Sequence, residues 1–194
     1  LKLAELAVTV GDVEEVEVLR SPRARSWRLE VPWGQPVRLT APRSMSRIEV
    51  DRVLRDKRAW IEVQRRRQVP RLGLERLAVS ESAARGRARR LVSAIAEEEA
   101  EQLGVAYTRI RIGGQRTLWG SCSPRGTLSF NWRLVLAPVD VLDYVVVHEL
   151  CHLRVPNHSR RFWALVEGRR PRWREQRDWL REHGPELLAF TAAE

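Results

Sequence analysis

His148, Glu149 and His152 lie within the stretch VVVHELCHLRVPNH, residues 145–158, and three of the chain's four histidines fall in its last eleven positions. On an α-helix, residues four apart sit one turn above each other on the same face, so His148 and His152 can aim two imidazoles at one point. Glu149, one step round, can reach a water held at that point. The H-E-x-x-H spacing therefore offers two metal ligands and a general base. A catalytic metal usually takes three protein ligands and keeps one position open, and His158 is the preferred third. Arg154-Val155-Pro156 must end the helix, because Pro removes a hydrogen bond and clashes one turn back. Asn157 can cap the next helix and put His158 in its first turn. Glu167 and His183 compete for the third place, although Glu167 would need the right face two turns along that helix. Imidazoles with an open water position suit Zn2+, and Ni2+, Co2+ or Fe2+ could take the same ligands. Such a site would activate water for attack on a polarised carbonyl, with Glu149 moving the proton.

These residues need a buried helix and something to face. Pro138 and Asp140 open a helix leading to His148, with Pro suited to an early position. Val145-Val146-Val147 has poor helix propensity and survives most easily where the helix is buried. Before it, residues 116–122 and 127–134 read as strands joined by Ser123-Pro124-Arg125-Gly126, a hairpin signal. Tyr107–Ile112 alternates as a further strand, with Ile110 and Ile112 opposite Arg109 and Arg111. A helix is expected over Ser82–Leu103, stopped by Gly104, with Leu91, Ile95 and Leu103 as its buried stripe. Its arginines come early and its glutamates late, against the macrodipole, so those charges must pair elsewhere if they are to help.

Upstream, residues 13–41 read as strands. Trp27, Leu29 and Val31 alternate with charged neighbours, and Val37 and Leu39 repeat the pattern after a Pro-Trp-Gly-Gln-Pro turn. Ser46 and Glu49 make a capping box for a helix to about Arg67, burying Val50, Val53, Leu54, Trp60 and Ile61. Arg65-Arg66-Arg67 suits its C-terminal dipole. Residues 68–80 read as a linker or a poor strand. After the histidines, Phe162–Val166 forms an amphipathic helix, and Pro171 starts another with Trp173 and Leu180 seven apart. The expected organisation is 1–80 for the N-terminal strands and helix, and 81–194 for the domain with the histidines.

With 194 residues and 43% hydrophobic content, the chain can build a real core and is not globally disordered. No apolar run reaches the length of a membrane span, and the N-terminus lacks the basic, apolar and cleavage regions of a signal peptide. Cys122 and Cys151 make no disulfide framework, so a reducing, cytoplasmic setting is expected. The net charge is +10, and 33 of 35 basic residues are arginine because only Lys2 and Lys57 are lysine. A solvated basic surface is the simpler reading, and a polyanion-binding one the sharper. Arg172, Arg174, Arg177 and Arg181 with Trp173 and Trp179 could form a nucleic-acid surface.

The blocks RTLWGSCSPRGTLSFNWRLVLAP and VDVLDYVVVHELCHLRVPNHSRRFW strongly resemble the YgjP-like metal-dependent hydrolases, zincin-like relatives of the SprT and WLM proteases. The match is close over about 107–182. The resemblance implies an α+β fold in which a small N-terminal β region precedes a zincin-like metallopeptidase core, with the HExxH helix packed on a β-sheet. It implies metal ligands His148, His152 and His158 with Glu149 as general base. It also implies that the strand before the active-site helix borders the cleft, placing Trp119, Gly120, Ser121 and Asn131 near substrate. Leu118 departs from the Arg usual before Trp-Gly, and Cys151 from the usual small Ala. Segment 68–80 looks shorter than its counterpart.

By their own types, Trp119 and Trp132 read first as core fillers, Cys151 as an apolar filler, and Tyr144 as a packed residue that could also donate to an oxyanion. Three functions follow: a zinc-dependent metallopeptidase acting on peptide or protein, a metal-dependent nucleotide phosphohydrolase, and a DNA-associated protease or binding module. Three visible ligands rather than four favour catalysis over a structural metal.

Overall fold

A computed structural model describes residues 3–9, 15–68, 72–74 and 79–192, with the side chains of 3–9 and of Glu15 outside the description. The chain divides into two units, Leu1–Arg71 and Leu72–Glu194.

In the first unit, β1 (Leu3–Thr9), β2 (Glu15–Ser21), β3 (Arg28–Glu30) and β4 (Val37–Pro42) form a sheet of order β1-β2-β4-β3. The β3–β4 pair is the antiparallel hairpin expected from the alternation, with Leu29 opposite Leu39. The strand β1 has no counterpart among the expectations, and positions 13 and 14 of the expected strand region lie outside the described residues. Strand β4 also runs parallel to β2, with Val18 opposite Leu39. The inward residues of β4 alternate as Val37, Leu39 and Ala41, all buried, as a half-covered strand requires. Helix α1 (Arg47–Arg66) covers them with Val50, Leu54 and Ile61. Its capping box is complete: the Glu49 amide donates to Ser46 Oγ, and the Ser46 amide donates to the Glu49 carboxylate. Trp60, expected inside, is 43% exposed. It follows Leu54 by six positions and so falls off the apolar stripe. Arg65 does more than answer the dipole: its guanidinium donates to the carbonyls of Pro32 and Gln35 and ties the hairpin turn to the helix end.

The second unit opens with α2 (Glu81–Leu103), capped by Ser80 and ended by Gly104 in the left-handed region at φ +61°. Its buried stripe is Ala84, Ala88, Val92, Ala96, Ala100 and Leu103. The expected Leu91 and Ile95 flank it, half-buried. Alanines at four-residue spacing allow a close approach, and the larger side chains fill the margins. Strands β5 (Arg109–Gly113), β6 (Gly120–Cys122) and β7 (Thr127–Asn131) form a sheet of order β5-β7-β6. The expected hairpin joins β6 and β7 antiparallel, with Gly126 at φ +75°. Both its strands are shorter than expected, and Trp132–Leu136 turns into a 3-10 helix.

Helix α3 (Val139–Cys151) packs against α2, β6 and β7 and against the two helices that follow, α4 (Arg160–Arg169) and α5 (Trp173–Ala189). It is buried almost all round, Val145, Val146, Val147, Leu150 and Cys151 included. This tertiary burial overrides the weak helix propensity of the valine run. Leu128 and Phe130 of β7 and Phe162 and Val166 of α4 complete the core around it. The late glutamates of α2 find one use here. Glu99, 5% exposed, accepts from Arg169 Nε at 2.8 Å and from Arg170 Nη2 at 3.0 Å. Arg170 also grips Asp143 of α3 through both its Nε and its Nη2. Three helices are thus tied by one charge network. The fold is mixed α and β, with the helix that carries the histidines packed on a sheet.

Candidate metal centre

His148 and Glu149 lie in the last turn of α3, and His152 is its C-cap residue. The chain then turns through Leu153 and Arg154, with Val155 N–H donating to the Cys151 carbonyl at 3.0 Å. It returns so that His158 Nε2 lies 2.9 Å from His148 Nε2. One ring nitrogen from each of His148, His152 and His158 falls within 4.8 Å of the others. The break at Pro156 that delivers His158 is as expected, but the cap is not. Ser159 is the N-cap of α4, and Asn157 Oδ1 accepts from the Ser159 amide, so His158 sits just before the helix rather than in its first turn. Glu167 accepts from Arg174 at 2.7 Å and His183 packs on Trp179, so neither rival joins the cluster.

The donor set fits a metal ion. His152 Nδ1 lies 3.2 Å from the Val155 carbonyl, which can only accept, so Nδ1 carries the proton and Nε2 keeps its lone pair for a ligand. The Tyr144 hydroxyl lies 3.5 Å from His148 Nδ1, the ring nitrogen opposite the Nε2 that faces His158. Burial, then the neighbouring His152 and His158, push His148 down to about 3, and burial also lowers His152. Both imidazoles are therefore neutral at physiological pH, the form that ligates. Tetrahedral zinc with N donors at about 2.0–2.1 Å would hold them about 3.3 Å apart, within the reach of this cluster.

The rings rest on an aromatic floor. His152 stacks on Phe162 at 4.4 Å, and His158 stacks on Trp163 at 5.6 Å. The sequence showed Phe162 and Trp163 only as the apolar face of a helix. Their placement four and five residues after His158 puts them beneath the imidazoles.

Glu149 is buried, and burial lifts its carboxyl to about 8. It is pressed against β6: a Cβ built on Gly120 would lie 2.6 Å from Glu149 Oε1 and 2.7 Å from its Cγ. Only a residue without a side chain lets the strand pass this close. A cleft of about 720 Å³ opens on one side of His148 and Glu149, with Ser121 and Cys122 of β6 in its wall. A smaller cavity of about 390 Å³ lies on the other side and is walled by Trp119. Gly120 borders both.

Asn131 is a correction. It is fully buried and lines neither depression; its Nδ2 donates to the carbonyls of Gln115 and Leu118, and its Oδ1 accepts from the Arg133 amide. It fixes the 115–118 segment that precedes Trp119 instead of facing substrate. Trp132 is core, while Trp119 stands half-buried with its ring against Gly184. Cys151 is the buried filler its position suggested. On α5, Trp173 is buried and stacks on Trp163 at 4.2 Å, so it cannot stack on a base. No helix among the described residues is long and apolar enough to cross a membrane.

Residues 75–183 match the family described as YgjP-like, metallopeptidase domain. No curated protein matches the chain. Among solved structures, the chain is similar to the metallopeptidase zymogen abylysin of Pyrococcus abyssi, at 26% identity and TM-score 0.43, over 46% of this chain and 90% of that one. It is also similar to the zymogen jannalysin of Methanocaldococcus jannaschii, at 22% identity and TM-score 0.42, over 46% and 92%.

Proposed function

The chain belongs to the YgjP-like metallopeptidase family and is a metal-dependent hydrolase of peptide bonds; from that premise we propose how this chain's residues divide the work. His148, His152 and His158 hold one zinc ion, and Glu149 is the general base. The observation that carries this reading is the convergence of three imidazole nitrogens within 4.8 Å beside a buried carboxylate. The ion would supply Lewis-acid polarisation of the scissile carbonyl and acidify the attacking water. The charge of the ion beside it would favour the ionised form of Glu149 against the burial that raises its carboxyl, and as the carboxylate it takes the water's proton and returns it to the leaving amine. It lies close under Gly120 and borders both depressions, which sets the carboxylate beside the imidazole cluster where substrate would enter. Ser121 and Gly120 border the path of the peptide, and Trp119 walls its end. The unit Leu72–Glu194 is the hydrolase domain, preceded by the unit Leu1–Arg71, and the protein works in the cytoplasm on peptides or proteins.

The test pairs metal content with turnover. Metal-loaded Glu149→Gln should keep one ion per chain and lose casein hydrolysis by at least about a hundredfold. Full turnover in that variant would remove Glu149 from the chemistry.

A further inference from the structure

The cavity on the Trp119 side of Glu149 has a composition that the hydrolytic chemistry does not call for. Its walls are apolar, formed by Trp119, Tyr144, Trp163 and Leu180, yet Arg177 and Arg181 of α5 also face it. The two arginines are four residues apart and so lie one above the other on one helix face. All four arginines of the first turns of α5 and its approach carry a charge, but they are not equally answered. Arg174 meets Glu167 at 2.7 Å, and Arg172 donates to Glu175 through two nitrogens. Among the described residues, Arg177 has one ion pair, a 4.0 Å approach to Asp178. Asp178 itself lies closer to Arg181, at 3.3 Å. The Arg177 guanidinium sits over the ring of Trp173 at 4.9 Å and over Trp163 at 5.9 Å. Those rings hold it in place without using its five N–H donors. Glu149 is the only carboxylate among the residues that line the cavity.

We infer that Arg177, seconded by Arg181, makes this cavity a carboxylate-recognition pocket, so that preferred substrates carry a carboxylate on the residue adjoining the scissile bond. This rests on the peptidase reading and names its substrate class. An apolar side chain alone would cover part of the half-exposed Arg177 guanidinium and offer its N–H donors nothing in return. A carboxylate on an apolar stem satisfies both walls and charges, and the guanidinium fork matches it bidentately. Peptides offer this group from two sources: an Asp or Glu side chain, or the C-terminal carboxylate of the last residue. The pocket shares His148 and Glu149 with the metal centre, so a residue seated in it holds its own peptide bond at the reacting position.

The experiment uses zinc-loaded full-length protein and quenched-fluorescence peptides that differ in one residue beside the scissile bond, Glu, Gln, Leu or Lys. Each is made as the C-terminal acid and as the amide. Wild type should favour the carboxylate over its amide isostere in kcat/KM by about three- to tenfold, a modest factor because the Arg177 side chain is 48% exposed. A preference that follows Glu over Gln in amidated peptides assigns a side-chain carboxylate, and one that follows acid over amide assigns the terminus. The ratio should fall to about one in Arg177→Gln/Arg181→Gln, survive in part in Arg177→Lys, and turn toward Lys in Arg177→Glu. Equal handling of both pairs by wild type, or a preference that survives the double variant, overturns the pocket. The same peptides without their fluorophore and quencher are titrated against zinc-loaded Glu149→Gln, read by isothermal calorimetry. Selective binding there without turnover in wild type would keep the pocket and overturn the peptidase reading; indifferent binding with turnover would do the reverse.

Discussion

Replacing Gly120 by alanine tests the most restrictive contact in the site. The new Cβ would stand 2.6 Å from Glu149 Oε1, whereas ordinary van der Waals contact begins near 3.4 Å. Either the carboxylate retreats by about 0.8 Å, or β6 moves off α3 by a comparable amount. The carboxylate is the softer of the two, since β6 is held to β7 through Gly120 opposite Phe130 and Ser121 opposite Ser129. A misplacement near 1 Å costs about a hundredfold in rate when it moves a reacting group. The variant should therefore lose about thirty- to a hundredfold in kcat, with KM nearly unchanged, because neither cleft loses a wall. Overpacking adds about 1–3 kcal/mol of destabilisation. The assay is steady-state hydrolysis of a quenched peptide, with bound zinc and urea midpoint measured on the same preparation. One zinc per chain, a folded protein and a collapsed kcat would match the reasoning. An alanine variant within threefold of wild-type kcat would refute it.

Three further outcomes follow from the same contacts. Casein turnover should fail in metal-loaded Glu149→Gln while its zinc content stays at one per chain. Glu99→Gln should cost about 1–3 kcal/mol at neutral pH, since it weakens the tie among α2, α3 and α4 and its arginine partners are only partly exposed. Burial raises the Glu99 carboxyl, but hydrogen bonds from Arg169 and Arg170 outweigh that and hold it below its ordinary 4.5. A depressed folded value gives stability that is fully present above pH 4.5 and lost as pH falls through the folded value. Urea midpoints taken from pH 7 to pH 3 should therefore converge between wild type and variant below pH 4.5, and a constant gap would count against the network. Asn131→Ala strips two partly buried carbonyls and one amide of their side-chain partner and should lower stability by about 1–3 kcal/mol, with faster amide exchange over 115–118.

The histidine cluster was legible because helix periodicity and a proline stop are local rules, and His148, His152, Pro156 and His158 obey them within eleven residues. The same holds for the Ser46 capping box, the Gly104 stop and the 123–126 hairpin, each written in four or five neighbouring positions. Long-range choices were not legible. Leu91 and Ile95 looked like the buried stripe of α2 by hydrophobicity, but the helix approaches its neighbours through Ala88, Val92 and Ala96, a choice made by packing distance. The family resemblance put Asn131 beside the cleft, but its amide satisfies the carbonyls of residues thirteen and sixteen positions earlier. The partnership of Glu99 with Arg169 and Arg170 spans about seventy residues, and only the folded chain shows why an acidic helix end is tolerated. Gly120 carried a signal in the Trp-Gly-Ser-Cys block, but its reason, the passage of a strand over a buried glutamate, needs both elements in place.

The central claim is a metal held by three imidazoles with one position left open. X-ray absorption at the zinc edge of the reconstituted wild-type protein measures that coordination directly. Three nitrogen donors with imidazole scattering at about 2.0–2.1 Å, plus one light oxygen donor, are the expected shell. His158→Ala should reduce the imidazole count to two. A sulfur donor at about 2.3 Å from Cys122, which borders the same cleft, or an imidazole count unchanged in His158→Ala, would contradict the account.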